Sequence, residues 1–293
     1  MTIALTGATG FIGRHVLRIA GKRGHDVIAF TRTPGRIISG AVETRRFSLE
    51  EAPDLRGCDA VIHLAAEPIV GFWTNAKRRR VVESRVAGTR RIVEAIDALA
   101  EKPEVFVNGS AIGFYGDGAD RELTEAAGRG TGFLADTVAA WEAAAGDAGS
   151  ERVVLLRTAV VLGRESGALR VMKPIFRCGL GGTVGSGAQW MSWIHVEDIA
   201  RLALFAAEDQ TVRGAVNGSA PWPVRHRDFV RTLARLLHRP AFFRAPAFVL
   251  RAAHEALAAE LLESKRVVPA AALAAGFRFN FPELEPALRE LLG

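Results

Sequence analysis

The chain has 293 residues, 49% of them hydrophobic, so it can bury a large core as one big domain or two unequal ones. Its formal net charge of +6 does not point to a nucleic-acid binder, because only five of the 38 basic residues are lysines and the arginines are spread along the chain. No apolar run reaches the roughly 18 residues that a transmembrane helix needs, and the chain carries no repeat or low-complexity tract.

An apolar strand, Ile3 to Leu5, runs into Gly7-x-x-Gly10-x-x-Gly13, and a helical pattern begins at Phe11. Gly7 permits the tight turn off the strand, Gly10 lets the backbone approach a pyrophosphate, and Gly13 lets the helix pack close to the strand. The helix N-terminus then offers free N–H groups to the anion. Gly7, Ala8, Thr9, Gly10, Phe11 and Ile12 are therefore expected to line a dinucleotide. The first strand starts almost at Met1, an arrangement expected to leave no room for a cleavable signal peptide.

A second strand, Asp26 to Thr31, closes the βαβ unit. A carboxylate at its end would bind the ribose 2′-OH of NAD, whereas an arginine accommodates the 2′-phosphate of NADP. Here the strand ends in Thr31 and Arg32, with Arg36 just beyond a Pro-Gly turn, so NADP(H) is the expected cofactor. A third strand is expected at Val42 to Phe47. Ala60 to Ala66 is a continuous apolar run suited to a strand buried on both faces. Leu64, Ala65, Ala66 and Glu67, at its carboxyl end, join the cofactor set. The two cysteines, Cys58 and Cys178, form no metal or redox motif and suit a reducing cytoplasm.

A helical pattern covers about Thr74 to Ala100; within it the cluster Lys77-Arg-Arg-Arg80 reads as a solvated face. Glu104 to Ser110 and Arg152 to Arg157 read as further buried strands, and Phe133 to Gly146 as a helix. Strand alternating with helix argues for a doubly wound, Rossmann-type parallel sheet of α/β class, with ligands beyond the carboxyl ends of its strands. Residues 1–168 form this domain, with sheet contributions from about 190–218. Residues 169–293 form a smaller lobe, mixed but mainly helical, that closes over the crevice. No His/Cys/Asp/Glu grouping has metal-ligand spacing, and no nucleophile elbow is present.

Together these segments resemble the extended short-chain dehydrogenase/reductase superfamily, which includes sugar-nucleotide epimerases and dehydratases. Thr6-Gly-Ala-Thr-Gly-Phe-Ile-Gly13 looks like its cofactor loop, and Asp59 to Ala66 like the strand that passes the adenosine and ribose. Ser110 through Tyr115-Gly116 is similar to its Ser…Tyr-Gly segment, and Trp193-Ile-His-Val-Glu-Asp198 to its His-Val-x-Asp signature. More narrowly, Ser84-Arg85-Val86, Trp141-Glu142, the string Gly185 to His195 and Gly276-Phe-x-Phe279 resemble an atypical branch of "epimerase family" proteins. That branch implies NADP(H) binding with no settled substrate. A small-molecule substrate, with neither membrane nor nucleic-acid partner, and a monomer or homodimer are expected.

The superfamily's usual acid/base is a Tyr-x-x-x-Lys pair early in the helix that here spans 133–146. Counting back from Glu142, those positions fall near Leu134 and Val138, which cannot move a proton. Arg85 stands where an asparagine is often found, either facing the crevice to meet an anionic group or facing outward. Ser110 can orient a substrate oxygen or cap a turn. Tyr115, the only tyrosine, can be a general acid or a packing residue. His195 titrates near neutral pH or bonds a loop, and Gln189, Trp190 and Trp193 wall a ligand or anchor a Gly-rich loop. The resemblance implies an epimerase-like oxidoreductase acting on a hydroxyl or carbonyl substrate, a nucleotide-sugar-like compound among those expected; the missing pair admits, as the alternative, a catalytically degenerate NADP(H)-binding regulatory or scaffold protein.

Overall fold

The computed structural model describes residues 1–33, 35–69, 74–164, 166–246, 248 and 261–293. In chain order it begins β1 (Thr2–Thr6), α1 (Gly13–Lys22), β2 (Asp26–Thr31), β3 (Glu43–Arg46), β4 (Ala60–His63), α2 (Asn75–Asp97) and β5 (Val105–Ala111). A 3-10 turn, Ile112–Tyr115, leads to β6 (Glu122–Leu123), α3 (Phe133–Gly146), β7 (Arg152–Thr158), β8 (Val160–Leu162) and α4 (Ala168–Arg177). The remainder comprises β9 (Gly182–Val184), β10 (Trp190–Met191), β11 (Trp193–His195), α5 (Val196–Glu208), β12 (Gly214–Gly218), β13 (Val224–Arg225) and α6 (His226–Leu236). Last come β14 (Phe243–Ala245), β15 (Arg266–Val267), α7 (Ala270–Ala274) and α8 (Leu284–Leu292).

Seven strands form one sheet in the order β12-β7-β5-β4-β1-β2-β3, every pair parallel. Chain order runs outward from β1 to β3 and then returns to β4 on the other side of β1. The gap between β1 and β4 is thus the switch point where a doubly wound sheet takes its ligand. Alternation along each strand feeds both faces. Ile3 and Leu5 of β1 join Val16, Leu17, Ile199 and Leu202 under α1 and α5, while Ala4 meets Val61, Ile92, Ile96 and Phe106 under α2. A separate core beyond the sheet gathers Leu162, Phe176, Trp193, Phe229, Leu233 and Leu288.

The expected strand from Ala60 to Ala66 stops at His63. Leu64 and Ala65 turn their N–H groups, each at 3.1 Å, onto the hydroxyl of Thr6 at the end of β1. The first helix likewise starts at Gly13 rather than Phe11. The later part of the chain is mixed, with helix outweighing strand where it is described: its short strands β9, β10 and β11 pair with β14, β13 and β8, and β6 pairs with β15. The rest of that expectation falls on 249–260, outside the described residues. β12 and α5 lie within the Rossmann layers, β12 beside β7 and α5 packed against α1 on one face of the sheet.

Candidate functional site

The turn after β1 is built on close backbone contacts. Gly7 has φ +71°, and a Cβ there would stand 2.9 Å from the Leu64 carbonyl carbon. A Cβ on Gly13 would stand 2.1 Å from the Gly7 carbonyl oxygen. Gly10 donates its N–H to that same oxygen at 2.8 Å, which folds Ala8 and Thr9 into a short arch. No side chain caps the N-terminus of α1 and no acidic residue stands in its first turn, so the helix's own residues leave its positive end open to an anion. Thr6 ties this arch to the loop after β4. Its hydroxyl accepts from Leu64 and Ala65 and lies 2.7 Å from His63 Nδ1. His63 is fully buried against Phe47, and burial pushes its pKa down to about 3. It is a neutral spacer under the crevice.

Arg32 is exposed at the end of β2, with no acid beside it, and Thr33 N–H bonds the Thr31 hydroxyl behind it. Arg36 lies farther round the same loop, on a cleft of about 480 Å³ that reaches Ala8, Thr9, Arg14 and Arg18. On the other side Glu67 follows Ala66 as the anchor of the loop after β4. Its N–H bonds the Ser84 hydroxyl at 3.0 Å, and its carboxylate meets Lys77 Nζ at 2.8 Å. That lysine hydrogen bond holds the Glu67 carboxyl below its usual pKa. The cluster read as a solvated face is therefore split: Arg79 and Arg80 are exposed, but Lys77 is buried on Glu67. Arg85 faces inward. It donates to the Glu67 and Val81 carbonyls at 3.0 and 3.1 Å and lies 5.0 Å from the Trp141 ring, so it clamps the loop from beneath. Burial lowers its pKa to about 10, leaving it a cation at neutral pH.

Ser110 and Tyr115 come together in one buried network. Ser110 donates its hydroxyl to Glu142 at 2.5 Å. Arg157, at the end of β7, grips the same carboxylate with two bonds of 2.8 Å and donates to the Tyr115 hydroxyl at 3.0 Å. Tyr115 in turn donates to Asn217 on β12 at 2.7 Å. The Arg157 guanidinium also stacks 3.6 Å above Phe114. Tyr115 is 2% exposed, and burial raises its pKa, the opposite of what an acid/base tyrosine needs. Leu134 and Val138, at the positions of the missing pair, pack over Gly113 of the 3-10 turn.

Gln189 and Trp190 line a cavity between the sheet and the lobe, beside Ile112 and Val160. Gln189 is held by the Val184 and Leu261 carbonyls; Trp190 is sandwiched by Arg225 and Arg266 and bonds Asp120. Trp193 is not on that wall: it is fully buried in the lobe core, its indole N–H on the Trp222 carbonyl. His195 is elsewhere too. It caps α5 through Nδ1, bonds Glu290 through Nε2 and stacks on Phe281 at 4.0 Å. Among the described residues no group of three His, Cys, Asp or Glu is placed to hold a metal ion, and no helix is long and apolar enough to cross a membrane.

Sequence reasoning passed over Arg157 and Asn217 as site residues, and took Thr6 and Glu142 only as parts of a resemblance. A signal for two of them was present. Arg157 ends the apolar strand Arg152-Val-Val-Leu-Leu-Arg157, and Glu142 interrupts an alanine-rich helix, so each buried charge demanded a partner.

The NAD dependent epimerase/dehydratase family matches residues 3–217, and a domain of unknown function (DUF1731) matches residues 245–291. Epimerase family protein YfhF of Bacillus subtilis is 35% identical over 298 residues, covering 100% of this chain and 98% of its own. The human epimerase family protein SDR39U1 (isoform 2), crystallised with NADPH, superposes with a TM-score of 0.92 at 35% identity and 99% coverage of both chains. MoeE5, in complex with UDP-glucuronic acid and NAD, superposes at 0.76 with 26% identity, over 100% of this chain and 99% of that one. A Rossmann sheet with its glycine arch at the switch point, matched end to end by these relatives, places the chain in the NAD dependent epimerase/dehydratase family, among its SDR39U1-like epimerase family proteins.

Proposed function

We propose that this protein is an NADP(H)-dependent, epimerase-like oxidoreductase of the cytoplasm that acts on a hydroxyl or carbonyl carbon. The observation that carries this is the pairing of a cradle closed to any Cβ at Gly7 and Gly13 with a second strand that ends in Arg32 and no carboxylate. The NADPH bound by human SDR39U1 supports the same choice of dinucleotide. Gly7 to Ile12 receive the pyrophosphate, and Arg32, with Arg36, meets the 2′-phosphate. Leu64 to Glu67, held by Thr6 from one side and Arg85 from the other, form the opposite wall. The bound nucleotide supplies hydride chemistry. Ser110, already donating to Glu142, has acceptor lone pairs to offer a substrate hydroxyl. Tyr115 holds the network behind it, which leaves the proton to water.

A second reading has its own support. The hydroxyls of Ser110 and Tyr115 are both engaged by protein partners, and apolar side chains occupy the usual acid/base positions. On that reading the protein binds NADP(H) without turnover, as a regulator or scaffold. Equilibrium titrations with NADPH and NADH, followed by nicotinamide fluorescence and repeated on Arg32→Ala, test the shared premise. NADPH should bind more tightly than NADH, and the variant should lose that preference; equal affinity for both in the parent protein refutes it. Consumption of NADPH with any carbonyl substrate then decides between the two readings.

A further inference from the structure

The cavity that Gln189 and Trp190 border has a volume of about 390 Å³, within the roughly 300–1,000 Å³ range of small-molecule pockets. Its reacting end is fixed by topology. Ala111 of β5 pairs with Thr158 of β7, and Ile112, next after Ala111, and Val160, two residues beyond Thr158, are both on the cavity wall. Most of the remaining wall is apolar, including Met172, Ile175 and Phe176 of α4, with Leu180, Met191 and Phe243. Four apolar residues of this wall remain solvent-exposed, Val171 at 52%, Ile175 at 46%, Leu180 at 57% and Phe243 at 55%. An apolar rim of that kind marks a binding surface rather than ordinary exterior.

Charge on the wall argues in the same direction. Among its described residues only Glu263 and Lys265 are charged, and they are spent on each other at 2.6 Å, with the lysine side chain 4% exposed. None of its described residues is an arginine, so a diphosphate held by them would lose its water without gaining a cationic partner. His226, 7% exposed, also lies on the wall, with its Nδ1 sealed from solvent. Burial lowers the pKa of this imidazole, which keeps it neutral.

We propose that the cavity takes an uncharged, largely apolar alcohol or carbonyl compound, and not a nucleotide sugar. This rests on the oxidoreductase reading above and specifies its substrate class. The test is displacement of Nile red from the full-length protein by decanol, by decane and by UDP-glucose, each with and without NADPH. Decanol is expected to displace the dye and UDP-glucose is not. Ile175→Glu, which puts a carboxylate on the rim of the cavity, should weaken decanol by about tenfold while leaving NADPH affinity unchanged. Decane, which has the same apolar body, should displace the dye as well. Displacement by UDP-glucose in place of decanol, or decanol affinity indifferent to Ile175→Glu, overturns the proposal. The two failures separate cleanly. NADPH binding without decanol binding removes this inference and leaves the cofactor reading, whereas decanol binding without NADPH binding removes the cofactor reading and the substrate role with it.

Discussion

Replacing Arg157 by methionine isolates what the buried network contributes. The Arg157 and Glu142 side chains are 6% and 8% exposed, and two bonds of 2.8 Å join them. Methionine fills much of the volume but leaves the Glu142 carboxylate buried with only the Ser110 hydroxyl as partner. It also strips the Tyr115 hydroxyl of a donor and Phe114 of its stacked cation. Breaking one side of a buried pair costs about 3–5 kcal/mol, because the remaining charge keeps its desolvation penalty and loses its compensation. Against a total stability of roughly 5–15 kcal/mol that is a large fraction. Thermal unfolding should therefore fall by at least about 6 °C. The sharper measurement adds Glu142→Gln. The double variant buries no charge and retains an amide oxygen for Ser110, so it should melt above either single variant, an order that additive effects forbid. If Arg157→Met melts within about 2 °C of the parent, or the double variant is the least stable of the three, the pair is not carrying the stability assigned to it.

Three further outcomes follow from the cradle. Gly10→Val should abolish NADPH binding with little loss of melting temperature, since a Cβ there meets only the Gly7 oxygen, at 3.0 Å; Gly13→Val, 2.1 Å from that oxygen, should lower both. Thr6→Val removes the acceptor for two N–H groups and the partner of His63, so a destabilisation of about 2 kcal/mol or more and weaker NADPH binding should appear in urea unfolding and fluorescence titration. His63 titrates at about 3 when folded, against 6.5 unexposed to burial, so between those values the unfolded chain takes up the proton that the folded one refuses. Its contribution is complete above pH 6.5 and is lost as pH falls, by about 2 kcal/mol at pH 5. Urea midpoints from pH 7 to 5 should thus fall less steeply in His63→Gln, and parallel slopes would contradict this account.

What was legible in the sequence follows the range of the forces involved. β2 and α3 have their observed limits, because apolar period and turn glycines act over a few residues. The strand at Ala60 was read three residues too long, since apolar character continued through Ala66 while the event that ended it was a hydroxyl 58 residues away. The same distance problem hid the orientation of Arg85. On the helix surface its two readings were equal; only the fold brings the Glu67 carbonyl and the Trp141 ring to it. His195 and Trp193 stand in the string that carried the strongest resemblance, yet the first is a helix cap and the second lies in the lobe core. A motif can be specific to a family because it folds a loop, not because it touches a ligand.

The departure at Leu134 and Val138 has a consequence for how the neighbouring polar groups are arranged. Those two side chains close over Gly113 and make the ground behind the 3-10 turn apolar. A polar group facing that ground must find protein partners or lose its hydration without return. Ser110, Tyr115, Glu142, Arg157 and Asn217 meet that requirement by bonding to one another, from β5, the 3-10 turn, α3, β7 and β12. The network thereby ties three adjacent strands to one helix at the carboxyl edge of the sheet, where the crevice opens. A single lysine restored at 138 would stand one helical turn from Glu142, a carboxylate that already accepts three bonds. Reinstating the tyrosine and lysine at 134 and 138 should therefore destabilise the protein without creating turnover, unless Arg157 is neutralised in the same chain. Melting temperature and NADPH consumption, measured on the double and triple variants, check both halves of that expectation.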